Sequence, residues 1–122
     1  MAEAYPDATL AVTGRSFLTG SFQEKLRQGS YEKYLASLVK KYQLADKICF
    51  LGDLSAARMR QAFLDANVFA LTSTLENSPN SLGEAMLLGV PSVAANVGGV
   101  PNLMTHGTEG LIYKPGDRKS VV

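Results

Sequence analysis

The chain has 122 residues, about one domain's worth and too short for a two-domain enzyme. Hydrophobic residues make up 46% and charged residues 19%, a balance that excludes collagenous, low-complexity and largely disordered chains. Twelve Lys and Arg against eleven Asp and Glu leave a formal charge of +1, without the field that holds a nucleic-acid backbone, so nucleic acid is excluded as the expected partner.

Cys49 is alone, which rules out an intrachain disulfide or a cysteine-based metal framework and points to a reducing, cytoplasmic setting. No apolar run reaches the roughly 18 residues of a membrane span. Residues 1–7 have neither the basic cluster nor the apolar stretch of a signal peptide.

The first element is a short apolar and β-branched run, Thr9-Leu10-Ala11-Val12-Thr13, closed by Gly14 and expected to be a strand buried on both faces. Residues 14–30 lack sustained periodicity and read as a long exposed connection. From Tyr31 the apolar positions Tyr31, Tyr34, Leu35, Leu38, Val39 and Tyr42 recur at helical spacing, which predicts a helix with one buried stripe. Residues 47–52 then read as a second strand. Asp53-Leu54-Ser55 offers a helix start before Met59, Ala62, Phe63 and Ala66.

Residues 68–72 form the third predicted strand. Leu82, Ala85 and Met86 mark a short helix that stops at Gly89, and residues 91–95 give a fourth strand. Gly98-Gly99-Val100-Pro101 opens a helix of one or two turns with Pro in its first turn, and residues 110–113 supply a fifth strand. Alternating strands and helices are best satisfied by an open, doubly wound, mostly parallel α/β sheet covered on both faces. Ligands of such sheets sit outside the carboxyl ends of the strands, which directs the search to the loops after Thr13, Leu51, Thr72 and Ala95.

The richest of these is 72–84, where Glu76 and Glu84 flank the small polar run Asn77-Ser78-Pro79-Asn80-Ser81-Leu82 and Gly83. That run leads into a helix N-terminus, whose unpaired N–H groups and positive dipole end favour an anion such as a phosphate without any metal. Structural readings compete at each position. Ser81-x-x-Glu84 has the spacing of a capping box, and a loop glutamate such as Glu76 is most often a solvated surface charge. His106, in a Thr-His-Gly turn, reads as a surface residue rather than a catalytic one. Met59, Met86 and the tyrosine stripe read as core or helix-face residues. Arg15, just after the first strand, lies on the rim without a diagnostic context.

The stretch from Leu75 to Pro91, Leu-Glu-Asn-Ser-Pro-Asn-Ser-Leu-Gly-Glu-Ala-Met-Leu-Leu-Gly-Val-Pro, followed by Val93-Ala94-Ala95-Asn96-Val97-Gly98-Gly99-Val100-Pro101, closely resembles the group 1 glycosyltransferases. Glu76 and Glu84 match the family's E-x7-E pattern, and Phe50-Leu51-Gly52 and Asn67-Val68-Phe69 match its flanking strands; the resemblance spans about residues 5–115. It implies a retaining enzyme of glycosyltransferase family 4 with the two-domain GT-B architecture, of the bacterial polysaccharide-assembly type. Residues 1–122 would be part of the C-terminal nucleotide-sugar-binding domain, with the N-terminal acceptor domain absent.

The resemblance also assigns roles. Glu84 accepts hydrogen bonds from the donor ribose, and Glu76 faces the transferred sugar as the catalytic carboxylate. Backbone N–H groups of Asn77 through Asn80 reach sugar hydroxyls, those around Ser81 and Leu82 meet the diphosphate, and Gly52, Asp53 and Leu54 meet the nucleobase. Where family members usually carry glycines after the first glutamate, this chain has Asn77, Ser78 and Pro79, and Pro79 brings no N–H.

The implied reaction transfers a sugar from a nucleotide-diphosphate sugar to an acceptor hydroxyl, with no cofactor and no obligatory metal. A saccharide or lipid-linked acceptor would be bound through the missing domain, and the full-length protein would associate peripherally with the inner face of the membrane. On this reading the 122 residues alone are a fragment without transfer activity. Two other readings of the residues stand beside it: a stand-alone nucleotide-sugar-binding or partner-docking module, and a generic doubly wound regulatory domain with no nucleotide-sugar affinity.

Overall fold

The structure is a computed structural model that describes residues 5–14, 16, 18 and 29–116. Arg15 and most of the predicted connection over 14–30 lie outside the described residues. The chain divides into two compact units, Met1–Ser55 and Ala56–Val122.

The first unit contains strand β1 (Leu10–Thr13), helix α1 (Ser30–Lys41), a 3-10 turn (Ala45–Lys47) and strand β2 (Ile48–Gly52). The two strands run parallel, pairing Leu10 with Ile48, Ala11 with Cys49 and Val12 with Phe50. A bulge between Val12 and Thr13 brings Thr13 opposite Gly52. The Gly14 N–H then donates to the Gly52 carbonyl at 3.0 Å and closes the carboxyl end of the ladder.

Helix α1 is set by its ends. The Glu32 carboxylate accepts the Gly29 N–H at 3.0 Å, and Lys40 and Lys41 sit at the negative end of the dipole. At its C-terminus Gln43 adopts a left-handed conformation, while the Tyr42 and Leu44 N–H groups return to the carbonyls of Leu38 and Val39.

Two expectations for this unit are corrected. β1 is mostly solvent-exposed, with Leu10 47% accessible, instead of buried on both faces. A ladder of two strands in a unit with one described helix lacks the layers needed to cover both faces. The stripe of α1 is also narrower than its spacing suggests: Val39 is buried and Leu35 and Leu38 are half-buried, whereas Tyr31, Tyr34 and Tyr42 face solvent. Tyrosines at the margins of an apolar stripe lay their rings along it and keep the hydroxyl in water.

The second unit contains α2 (Ala56–Asp65), β3 (Phe69–Leu71), α3 (Asn80–Leu87), β4 (Ser92–Ala95), α4 (Val100–Leu103) and β5 (Leu111–Tyr113). Its strands form a parallel sheet in the order β3-β4-β5, with Ala70 opposite Val93 and Ala94 opposite Ile112. β4 is central and accordingly the most buried strand, while β3 and β5 carry more exposed positions.

The core is laid down in two clusters. Leu71, Leu82, Ala94, Val100 and Met104 join β3, α3, β4 and α4, with Phe69, Met86, Val97 and Ile112 packed around them. Phe63, Ala85 and Val90 form the second cluster, flanked by Met59 and Ala66 of the predicted α2 stripe. The Phe63 and Phe69 rings meet edge to face at 5.3 Å between centroids. Gly89, at φ +72°, stops α3 and turns the chain toward β4, in the place where the sequence puts that stop. All five strands and four helices therefore occur in the predicted order.

Candidate functional site

The segment that leaves the carboxyl end of β3 runs through residues 72–79 and enters α3 at Asn80. Pro79 is the N-cap; it is buried, and its carbonyl accepts the N–H groups of Leu82 at 3.0 Å and Gly83 at 3.2 Å. The Asn80 N–H turns back to the Ser78 carbonyl at 2.9 Å.

The Ser81/Glu84 capping box does not form. The helix starts two residues earlier than that motif requires, so Ser81 is its second residue and no side chain caps the end. Two consequences follow for ligand binding. The exposed Glu84 carboxylate has no hydrogen-bond or ionic partner among the described residues. Of the backbone donors between Asn77 and Leu82, those of Asn80 and Leu82 are already committed within the turn and Pro79 has none, whereas those of Asn77, Ser78 and Ser81 meet no acceptor among the described residues. Leu82 itself is fully buried and anchors α3 in the core.

Glu76 is half-buried. Its main-chain carbonyl accepts the N–H of Gly99 at 3.2 Å, so the loop after β3 is tied to the loop after β4. These are two of the carboxyl-end loops that the strand pattern singles out, and the structure brings them together. In the sequence Gly98-Gly99 opens a helix and belongs to the stretch that carries the family resemblance; a glycine pair shortly after a strand is also a sign of a close backbone approach.

Gly52, Asp53 and Leu54 follow β2 and belong to the first unit. There Asp53 is exposed, Leu54 is half-buried, and the Gly52 carbonyl is occupied by Gly14. His106 is exposed, and its Nδ1 accepts the Ile112 N–H at 2.9 Å, a structural contact at the start of β5.

Two concave surfaces of the second unit, each about 300 Å³, lie away from this rim. One is lined by Val68, Pro91 and Gly110, at the amino ends of the strands, and the other by Met86, Gly89 and Glu109. Neither includes Glu76 or Glu84. The amino ends are the wrong side of a parallel sheet for a ligand that uses helix N-termini. Among the described residues no group of three His, Cys, Asp or Glu side chains is placed to hold a metal ion, and no helix is long and apolar enough to cross a membrane.

Over residues 1–122 the chain matches the family described as glycosyl transferases group 1. The chain belongs to that family. Its architecture is the Rossmann-like half of a GT-B glycosyltransferase, present in part. A solved structure of Alr3699/HepE from Anabaena in complex with UDP superposes with a TM-score of 0.76 at 30% identity, covering 95% of this chain and 29% of that one.

Among curated relatives, N-acetyl-alpha-D-glucosaminyl L-malate synthase of Bacillus anthracis is 33% identical over 87 residues, 71% of this chain and 22% of the relative. The amylovoran biosynthesis glycosyltransferase AmsK of Erwinia amylovora is 26% identical over 99 residues, 76% of this chain and 24% of the relative. This group 1 member thus spans about a quarter of the length of the curated relatives it matches.

Proposed function

We propose that the chain is the donor-binding part of a retaining glycosyltransferase of polysaccharide or glycolipid assembly, and that its donor is a uridine-diphosphate sugar. The observation that carries this reading is the rim at the carboxyl end of β3. There the N–H groups of Asn77, Ser78 and Ser81, which meet no acceptor among the described residues, fall in sequence between Glu76 and Glu84 at the entry to a helix N-terminus. HepE, similar over nearly the whole of this chain, has been solved with UDP and with UDP-glucose, and AmsK acts in amylovoran biosynthesis; both support the reading.

In this assignment the diphosphate docks at the Ser81 N–H and the positive end of α3. The Glu84 carboxylate accepts the ribose hydroxyls, a role for an ionised group with two acceptor oxygens. Glu76 faces the sugar, where its negative charge stabilises the positive charge that grows at the anomeric carbon as the bond to the diphosphate oxygen breaks. The acceptor oxygen bonds to the same face of that carbon, and its proton passes to the departing diphosphate, so configuration is retained. The acceptor and its binding domain belong to the whole protein.

Calorimetric titration of the chain with UDP tests the reading. Binding is expected in the wild type. Glu84→Ala is expected to weaken it about tenfold, the loss of roughly 1.4 kcal/mol expected for a charge-assisted hydrogen bond. Glu76→Ala should leave UDP affinity near the wild-type value. Equal affinity in wild type and Glu84→Ala would remove Glu84 from the ribose, and no UDP binding at all would overturn the donor-site assignment.

A further inference from the structure

We infer that the Gly98-Gly99 step is a positioning device for Glu76. These two residues lack side chains because the Glu76–Asn77 backbone occupies the space that side chains would fill. A Cβ built on Gly98 overlaps the Glu76 carbonyl oxygen, and one built on Gly99 lies 2.5 Å from the Asn77 carbonyl oxygen. Neither obstacle is the movable end of a flexible side chain. Both are main-chain atoms of the segment that carries Glu76, so a side chain at either position displaces that segment.

The approach is held from both sides. From the glycine side, the Asn96 N–H donates to the Tyr113 carbonyl at 2.8 Å and continues the β4–β5 ladder past its last paired residues. Val97 packs against the core and Val100 is fully buried within it, which fixes the two ends of the glycine step. From the loop side, the Gly99 N–H grips the Glu76 carbonyl, and the buried Pro79 ring lies 3.6 Å from the position of a Gly99 Cβ.

The remaining glycines with positive φ at residues 14, 52, 89, 107 and 116 have nothing within 4 Å of a Cβ and answer only to backbone conformation. Gly98 at φ +49° has both constraints, and Gly99 at φ −79° has the contact alone. The consequence for transfer rests on the donor-site reading. A carboxylate must be held within a fraction of an ångström of the reacting carbon, and a misplacement of 1 Å costs about a hundredfold in rate. On this reading, the loop after β4 sets where that carboxylate stands.

The three glycines allow the contact to be separated from backbone strain in the full 122-residue chain. Gly99→Ala introduces a Cβ at a φ that alanine adopts freely, so its effects come from the contact. Gly107→Ala introduces strain at φ +80° with open space around it, and serves as the control.

In two-dimensional amide NMR spectra, Gly99→Ala is expected to produce its largest shifts outside residues 96–102 at Glu76, Asn77 and Ser78. Gly98→Ala should do the same and also lose the exchange protection of the Gly99 amide. Gly107→Ala should leave all three loop amides in place. Unmoved Glu76 and Asn77 amides in a folded Gly99→Ala chain would overturn the inference, as would loop shifts of equal size in Gly107→Ala. If Gly98→Ala does not fold, Gly99→Ala decides the matter alone. UDP titration of the wild type is a separate measurement: a chain that binds no UDP loses the donor-site reading, while the positioning of the Glu76 segment still stands or falls on the amide shifts.

Discussion

Glu109 illustrates how a single exposed side chain can matter to the second unit. Its carboxylate accepts the Thr105 N–H at 2.7 Å, and the hydrogen bonds from Thr105 hold its pKa below the ordinary glutamate value of 4.5. A depressed carboxylate pKa means that the folded state releases the proton more readily than the unfolded chain does. The stabilisation is therefore complete above 4.5 and is lost as pH falls below that value through the folded-state pKa. Glu109→Gln should melt at a lower temperature than wild type at neutral pH, with the gap closing as the carboxylate range is crossed. Melting temperatures of the two proteins over a pH series check this; identical melting at pH 7 would show that the Thr105 bond contributes nothing. The same turn uses His106 as an acceptor for the β5 backbone, so a residue read as plain surface proves to hold the strand's entry.

At the scale of elements, helix α3 links packing to function. Leu82 and Ala85 are both fully buried but belong to different core clusters, so the helix is wedged between them and its N-terminus cannot drift from the end of β3. Leu82→Ala should cost about 2–5 kcal/mol, the range for emptying a closed core site. Chemical denaturation would register this as a lower midpoint. A cost below about 1 kcal/mol would mean that the site collapses around the missing methyl groups.

Local pattern made these elements legible: the α2 stripe, the Gly89 stop and the Pro101 helix start all depend on neighbours within a turn or two. The failures have equally local causes. Ser81 and Glu84 satisfy the spacing of a capping box, but the helix begins at Asn80 with Pro79 as its N-cap, so Ser81 already lies inside the first turn and the motif is unused. The tyrosines of α1 count as apolar in a periodicity argument yet stand on the wet margin of the stripe. The contact between Gly99 and Glu76 is of another kind. It joins loops separated by a helix and a strand, and no periodicity within either segment encodes it.

At the scale of the whole molecule, the described strands leave edges without a paired strand. Among the described residues only β4 is paired in a ladder on both sides; β1 and β2 pair only with each other, and β3 and β5 only with β4. Free edges present rows of N–H and C=O groups that another chain can pair with, and proteins usually blunt such edges with charge, proline or a covering element. Here the first residue of β1 is Leu10 at 47% exposure, and Val68, just before β3, is 54% exposed, so apolar side chains accompany the open backbone. The 122-residue chain should therefore self-associate as its concentration rises. A lysine at the edge adds like-charge repulsion to any edge-to-edge pair, so Leu10→Lys is expected to shift association to higher concentration with little effect on folding. Sedimentation equilibrium over a concentration series tests both statements. A mass fixed at that of one chain throughout would show the edges to be protected, and an unchanged association constant in Leu10→Lys would move the contact away from β1.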